Sequence, residues 1–166
     1  SNIGDSQTRN RGTIGGAIAS KTRSSDWNAA LLALDATIHT TKTSHMAEDY
    51  FSRGGLTAGE LITKICFEIP SKGIYLKQTR ASSTDALIGV LVSRLEKKCR
   101  VAIVGSQRVA FLCPALEAAL SAKFHQDVYD QSHIPEGILA DNADASLEYQ
   151  LNLVEVLCKR AISSCA

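Results

Sequence analysis

The chain has 166 residues, 45% of them apolar and 21% charged, which suits one domain or two small lobes with enough material for a sizeable core. Eighteen basic against 17 acidic residues leave a net charge of +1, so no general field draws the protein toward nucleic acid or anionic lipid. The longest apolar stretches, such as residues 87–92, fall far short of the roughly 20 needed to cross a bilayer, and the polar opening residues carry no secretory leader pattern.

In chain order, the first informative segment is 7–19, Gln-Thr-Arg-Asn-Arg-Gly-Thr-Ile-Gly-Gly-Ala-Ile-Ala, which reads as a basic, glycine-rich turn entering a helix. Gly15 and Gly16 lack Cβ atoms and let backbone approach a ligand, the following Ala-Ile-Ala can offer helix N–H groups, and Thr13 adds a hydroxyl. The run lacks the Lys-Ser/Thr of a P-loop and the third glycine of a dinucleotide fingerprint, so a plain tight turn before a buried helix is the competing reading.

Asp26 is placed to cap a helix starting at Trp27, whose apolar face of Ala29, Ala30, Leu31 and Leu34 should pack on a sheet. Residues 36–41 read as a strand, 42–44 as a turn into the 45–51 segment, 53–55 as a loop, and 60–69 as a second strand ended by Pro70 and Gly73. From Gly73 onward, strands at 74–79, 87–95, 99–104 and 108–112 predict an antiparallel meander. Pro114 starts a helix through Leu120, 125–142 is irregular, and 146–162 has helical spacing. Strands and helices without regular βαβ alternation predict an α+β fold, with a seam between lobes near 70–73.

Cys66, Cys99, Cys113, Cys158 and Cys165 are scattered, without a C-x-x-C pair, and fit a reducing cytoplasm as small buried hydrophobes; Cys158 and Cys165, near the end, could instead be partly exposed thiols. His39, His45, His125 and His133 are dispersed, and no metal site is expected.

The string Arg-Asn-Arg-Gly-Thr-Ile-Gly-Gly at 9–16, followed by Asp26 and by Ala-Leu-Leu-Ala-Leu-Asp-Ala at 30–36, resembles the FAD-binding medium subunit of molybdenum hydroxylases, the family of xanthine dehydrogenase and carbon monoxide dehydrogenase flavoprotein. The likeness continues in order through Gly-Glu-Leu-Ile-Thr at 59–63, Tyr75-Leu76-Lys77 with Arg80 and Asp85, and Ala-Ser-Leu-Glu-Tyr at 145–149 leading to 156–161.

The resemblance implies a partial second lobe of the FAD-binding domain over 1–71, followed by a carboxy-terminal α+β domain over 72–166 with antiparallel strands and helices on one face. The first lobe has no counterpart in these residues, so FAD is expected as a cofactor held weakly or not at all by this chain alone. By the same resemblance Thr13, Ile14, Gly15 and Gly16 meet the cofactor, and Asp26 approaches the ribityl hydroxyls, which a carboxylate accepts well. Ile62 falls near the flavin ring, and Lys77 stands by its polar edge, where a cation favours the reduced form. Taken from the residues alone, Asp26 is equally an N-cap, Ile62 a core strand residue, Lys77 a solvated charge, and Arg80 with Asp85 a strand-end ion pair. Ala17 departs from the family, which commonly has Asn there.

No Gly-x-Ser-x-Gly elbow or close Ser/His/Asp grouping supports hydrolysis, and no catalytic side chain is expected. The resemblance implies electron relay from an iron–sulfur partner to an acceptor such as NAD, beside a molybdopterin-binding subunit. A flavin-free assembly module, working through the meander and terminal helix, is the alternative.

Overall fold

A computed structural model describes residues 6–20, 22, 25–80, 84–105 and 109–166. Helices α1 (Ser6–Arg11), α2 (Ile14–Ala19) and α3 (Asp26–Ala33) lead into strands β1 (Thr37–Thr40) and β2 (Ser44–Met46), helix α4 (Ala47–Ser52) and strand β3 (Ile62–Cys66). These strands form an antiparallel sheet in the order β2-β1-β3. Strands β4 (Lys72–Thr79), β5 (Ala86–Arg94), β6 (Cys99–Val104) and β7 (Phe111–Leu112) then pair in chain order, and α5 (Pro114–Ala122), two 3-10 turns and α6 (Leu147–Cys165) complete the chain. The fold is α+β, and the meander is present.

Local chemistry sets several of these boundaries. Pro114 opens α5, where its missing N–H costs nothing. Ser146 caps α6, its hydroxyl accepting from the Tyr149 amide at 3.3 Å. Asp35 ends α3 in the left-handed region at φ 47°, a conformation Asp tolerates better than most residues.

The four-stranded sheet is buried on both faces, and period-two alternation assigns each residue to its side. Ile88, Val90 and Val92 of β5, Val101 and Ile103 of β6, and Ile74 and Leu76 of β4 join the cluster containing Leu116, Leu120, Val154, Cys158 and Ile162 of α5 and α6. Their neighbours Ala102, Val104, Leu91 and Tyr75 turn to the opposite cluster, with Ala29, Leu31, Leu32 and Ala33 of α3. Within 72–166 the helices do pack on one face, and α3, from the other side of the expected seam, covers the second. That is why β5 reads as a continuous apolar run rather than an alternating one.

Four sequence expectations change in detail. Residues 7–11 belong to a helix, so the turn contracts to Gly12-Thr13. The strand expected at 60–69 pairs only over Ile62–Cys66, leaving Leu61, Phe67 and Ile69 exposed at 67%, 50% and 88%, because β3 is an edge strand and its flanks meet no facing layer. The strand expected from Arg108 begins outside the described residues and is seen at Phe111–Leu112. Cys158 and Cys165 are fully buried on the core-facing side of α6, so neither is a partly exposed thiol; burial pushes the Cys158 thiol up to about 12.

Candidate functional site

The glycine element is the first turn of α2 itself. Thr13 is the N-cap, its hydroxyl oxygen accepting from the Gly16 amide at 3.0 Å. The Ala17 amide is already bonded to the Thr13 carbonyl at 2.9 Å, so the Ala-Ile-Ala amides expected to face a ligand are used inside the helix. The groups left without an intrahelical acceptor are Ile14 and Gly15, at its first two positions. A Cβ on Gly15 would meet nothing within 4 Å, whereas one on Gly16 would stand 3.0 Å from Thr13 Oγ1. Gly16 therefore protects the cap, and Gly15 keeps an open approach. Ile14 and Gly15 are half-buried, Thr13 and Gly16 exposed, and Ile14 packs on the cluster under α3. Arg9 and Arg11, on α1, are exposed.

Asp26 and Lys77, 51 residues apart, meet in an ion pair of 2.7 Å. Asp26 is the first residue of α3 rather than its cap; Ser25 occupies the cap position. With side chains only 9% and 6% exposed, Asp26 and Lys77 exclude the solvated-charge reading of the lysine. Lys77 also donates to the Thr84 carbonyl at 2.9 Å. Asp26 Oδ1 accepts from the Tyr75 hydroxyl, whose ionisation is pushed far above the ordinary phenol range by burial first and by the adjacent carboxylate second. Tyr75 thus remains a donor at any physiological pH. Among the described residues, each carboxylate oxygen keeps one lone pair and the ammonium one proton after these bonds are made.

Ile62 opens β3, opposite Thr40, and packs half-buried on the same apolar cluster as Ile14 and Tyr75. Arg80 reaches across to Asp144 at 3.4 Å, and its amide donates to the Asp85 carbonyl at 3.1 Å.

Sequence reasoning gave no role to three residues that organise this region. Tyr75 lies two positions from Lys77 on one strand, so its shared face with the lysine was readable. Gly89 sits opposite Lys77 in the β4–β5 register, and a Cβ there would collide with the Tyr75 hydroxyl and approach Val104 Cγ1 to 2.9 Å. Only strand pairing reveals that. Glu60, 5% exposed, anchors the loop between α4 and β3: it accepts from Thr40 Oγ1 at 2.6 Å, from the Thr57 amide at 2.9 Å and hydroxyl at 2.8 Å, and from Arg53 at 2.8 Å. The Thr40 bond, then those from Thr57, hold its carboxyl down at about 2.

Two polar features stand on this α+β frame: open backbone amides at the start of α2, and a carboxylate and ammonium with unspent hydrogen-bonding capacity where α3 meets β4. The family described as the FAD binding domain in molybdopterin dehydrogenase matches residues 1–72. A glyceraldehyde dehydrogenase medium chain of Sulfolobus acidocaldarius is 40% identical over 103 residues, covering 55% of this chain and 36% of that relative. Carbon monoxide dehydrogenase from Hydrogenophaga pseudoflava superposes with a TM-score of 0.80 at 26% identity, over 98% of this chain and 63% of that one. Quinoline 2-oxidoreductase from Pseudomonas putida 86 gives 0.81 at 21% identity, over 99% and 64%, and shows the shared fold. The amino-terminal part of the chain, residues 1–72, is similar to that FAD-binding family, and the chain spans about a third of the curated relative's length.

FAD is the cofactor of this family, and the residues present fit it: unspent amides at Ile14 and Gly15 suit phosphate, the open space at Gly15 admits it, and the spare lone pairs of Asp26 accept from hydroxyls.

Proposed function

We propose that this chain supplies half of an FAD cradle in an electron-relay subunit, with 1–71 as the second lobe of the FAD-binding domain and 72–166 as its carboxy-terminal domain. Thr13 to Gly16 would hold the diphosphate, Asp26 the ribityl chain, Ile62 the ring and Lys77 its polar edge. The observation that carries this reading is the convergence of Asp26 and Lys77, assigned separately to one cofactor, in a single buried pair.

Bound FAD supplies the redox chemistry, and the protein supplies orientation and electrostatics. The Ile14 and Gly15 amides offer fixed positive dipole without reorganisation. Tyr75 and Lys77 keep Asp26 aimed. Apolar packing beneath Ile14 and Ile62 excludes water from the floor of the site. In this reading the partners are an iron–sulfur subunit and a molybdopterin-binding subunit, with an acceptor such as NAD, and five free cysteines suit a cytoplasmic setting.

Gly15→Val tests the reading on the complete polypeptide carrying these residues. Because a side chain at Gly15 meets open space, the fold should survive while flavin absorbance in the purified protein disappears. Normal flavin content would remove the turn from the site. The flavin-free assembly reading is favoured by one observation, the exposed Leu61, Phe67 and Ile69 beside β3, since both faces of the meander are already covered. FAD titration separates the two: wild-type protein that never binds flavin supports assembly.

A further inference from the structure

The Tyr75 hydroxyl is a buried donor spent on a single acceptor, Asp26 Oδ1, and the fold gives up a side chain at Gly89 to admit it. In β5, Gly89 is flanked by Leu87, Ile88, Val90, Leu91 and Val92, and a glycine in its interior weakens the strand unless something needs the space. What needs it here is the phenol. Tyr75 and Lys77 share one face of β4, and both reach the first residue of α3, so one carboxylate receives two donors from one strand.

We propose that Tyr75 is a positioning residue of the flavin site, fixing the Asp26 carboxylate through Oδ1 while Lys77 fixes it through Oδ2, with Gly89 as the opening that lets the phenol reach it. The proposal rests on the reading of Asp26 as a ligand for the sugar-alcohol chain. Without the phenol, Lys77 is the one side-chain donor among the described residues that holds the carboxylate, which can then rotate about its last bond. With it, both oxygens are pinned and the remaining lone pairs have one orientation. The geometry also explains why a tyrosine serves rather than a phenylalanine. A phenyl ring would pack on the α3 cluster equally well but could not donate.

The test is a double-mutant cycle on FAD affinity, read by flavin fluorescence and visible circular dichroism with the complete polypeptide. Tyr75→Phe should weaken FAD about tenfold, the loss expected for a hydrogen bond to a charged group. It should also change the visible dichroism of the flavin that remains bound. In an Asp26→Asn background the same replacement should change affinity by less than about twofold, since the phenol acts only through that carboxylate. Gly89→Ala, which displaces the phenol but leaves Asp26 and Lys77 in place, should reproduce the loss seen with Tyr75→Phe. An equal loss in both backgrounds, or wild-type affinity for Tyr75→Phe, overturns the positioning role while leaving the flavin site standing. Wild-type protein that fails to bind FAD at all overturns the site itself, a distinct result.

Discussion

Helix α3 is fastened at both ends by buried charge, and the two fastenings differ in how much capacity they leave unused. At its far end Asp35 pairs with Lys98 and takes Arg100 through Nε at 2.7 Å and Nη2 at 2.6 Å, while Arg100 continues to Glu117 at 3.1 Å. Glu117 in turn accepts from the Val101 amide at 3.0 Å. Two carboxylates and two cations are thereby closed on one another across α3, β6 and α5. At the near end, among the described residues, a single carboxylate meets a single cation and a phenol. A closed network holds a structure together; a pair with spare lone pairs can also take a ligand. Burial alone does not separate the two, since both aspartates are under 10% exposed.

The largest effect should come from breaking the closed end. Arg100→Met strands the Asp35 and Glu117 carboxylates in a partly buried cluster, an outcome that costs about 3 kcal/mol when a buried pair loses one partner. A urea midpoint that falls accordingly, with FAD affinity of the folded fraction unchanged, keeps the two ends functionally distinct. If flavin affinity falls in parallel with stability, the contrast fails. Next in size is Asp26→Asn, which leaves the Lys77 ammonium without its counter-charge and should cost about 2 kcal/mol. Here stability and flavin affinity should drop together, the signature that distinguishes the near end.

A pH titration sharpens the comparison through two glutamates shifted in opposite directions. Glu60 ionises at about 2 in the fold against 4.5 unfolded, so its contribution is fully present above about 4.5 and is lost as pH falls through 2. Glu117 is shifted up, chiefly by burial, so its contribution is present below 4.5 and lost as pH rises through its folded value. Urea midpoints taken between about pH 5 and pH 3 should therefore fall less steeply in Glu60→Gln than in the wild type, and more steeply in Glu117→Gln. Parallel slopes in all three proteins would mean that neither the hydrogen bonds to Glu60 nor the burial of Glu117 governs ionisation as the geometry indicates.

The meander was legible because its strands are apolar stretches separated by short polar turns, and α6 because Leu147, Leu151, Val154, Leu157, Cys158 and Ala161 recur at helical spacing. The covering of the meander by α3 was not legible, because a strand buried on both faces carries no alternation to show which layer lies where. In the site, ordered motifs pointed to Thr13–Gly16, Asp26 and Lys77, yet the identity of the free amides depended on where α2 begins, a one-turn question that composition does not answer. Gly89 was invisible for a stronger reason: its partner is set by β4–β5 register, and nothing local to residue 89 encodes it. Glu60 was visible as part of a motif but gave no sign of its anchoring role, which draws on Thr40, twenty residues earlier, across the sheet.

The smallest stability effect should lie on β3's flank. Ile69 is 88% exposed and follows the last paired residue of the strand, Cys66, so it contributes little to the core. Ile69→Ser should leave the urea midpoint within about 0.5 kcal/mol of wild type, as exposed replacements do. Single exposed apolar residues are ordinary, but Leu61, Phe67 and Ile69 fall within nine positions along one edge, and an apolar edge invites a neighbour. Sedimentation velocity on the same variant should then show less self-association than wild type at equal concentration, with stability unmoved. A loss above about 1 kcal/mol would instead place Ile69 under a covering layer, and the contrast between a sealed meander and an open first sheet would have to be redrawn.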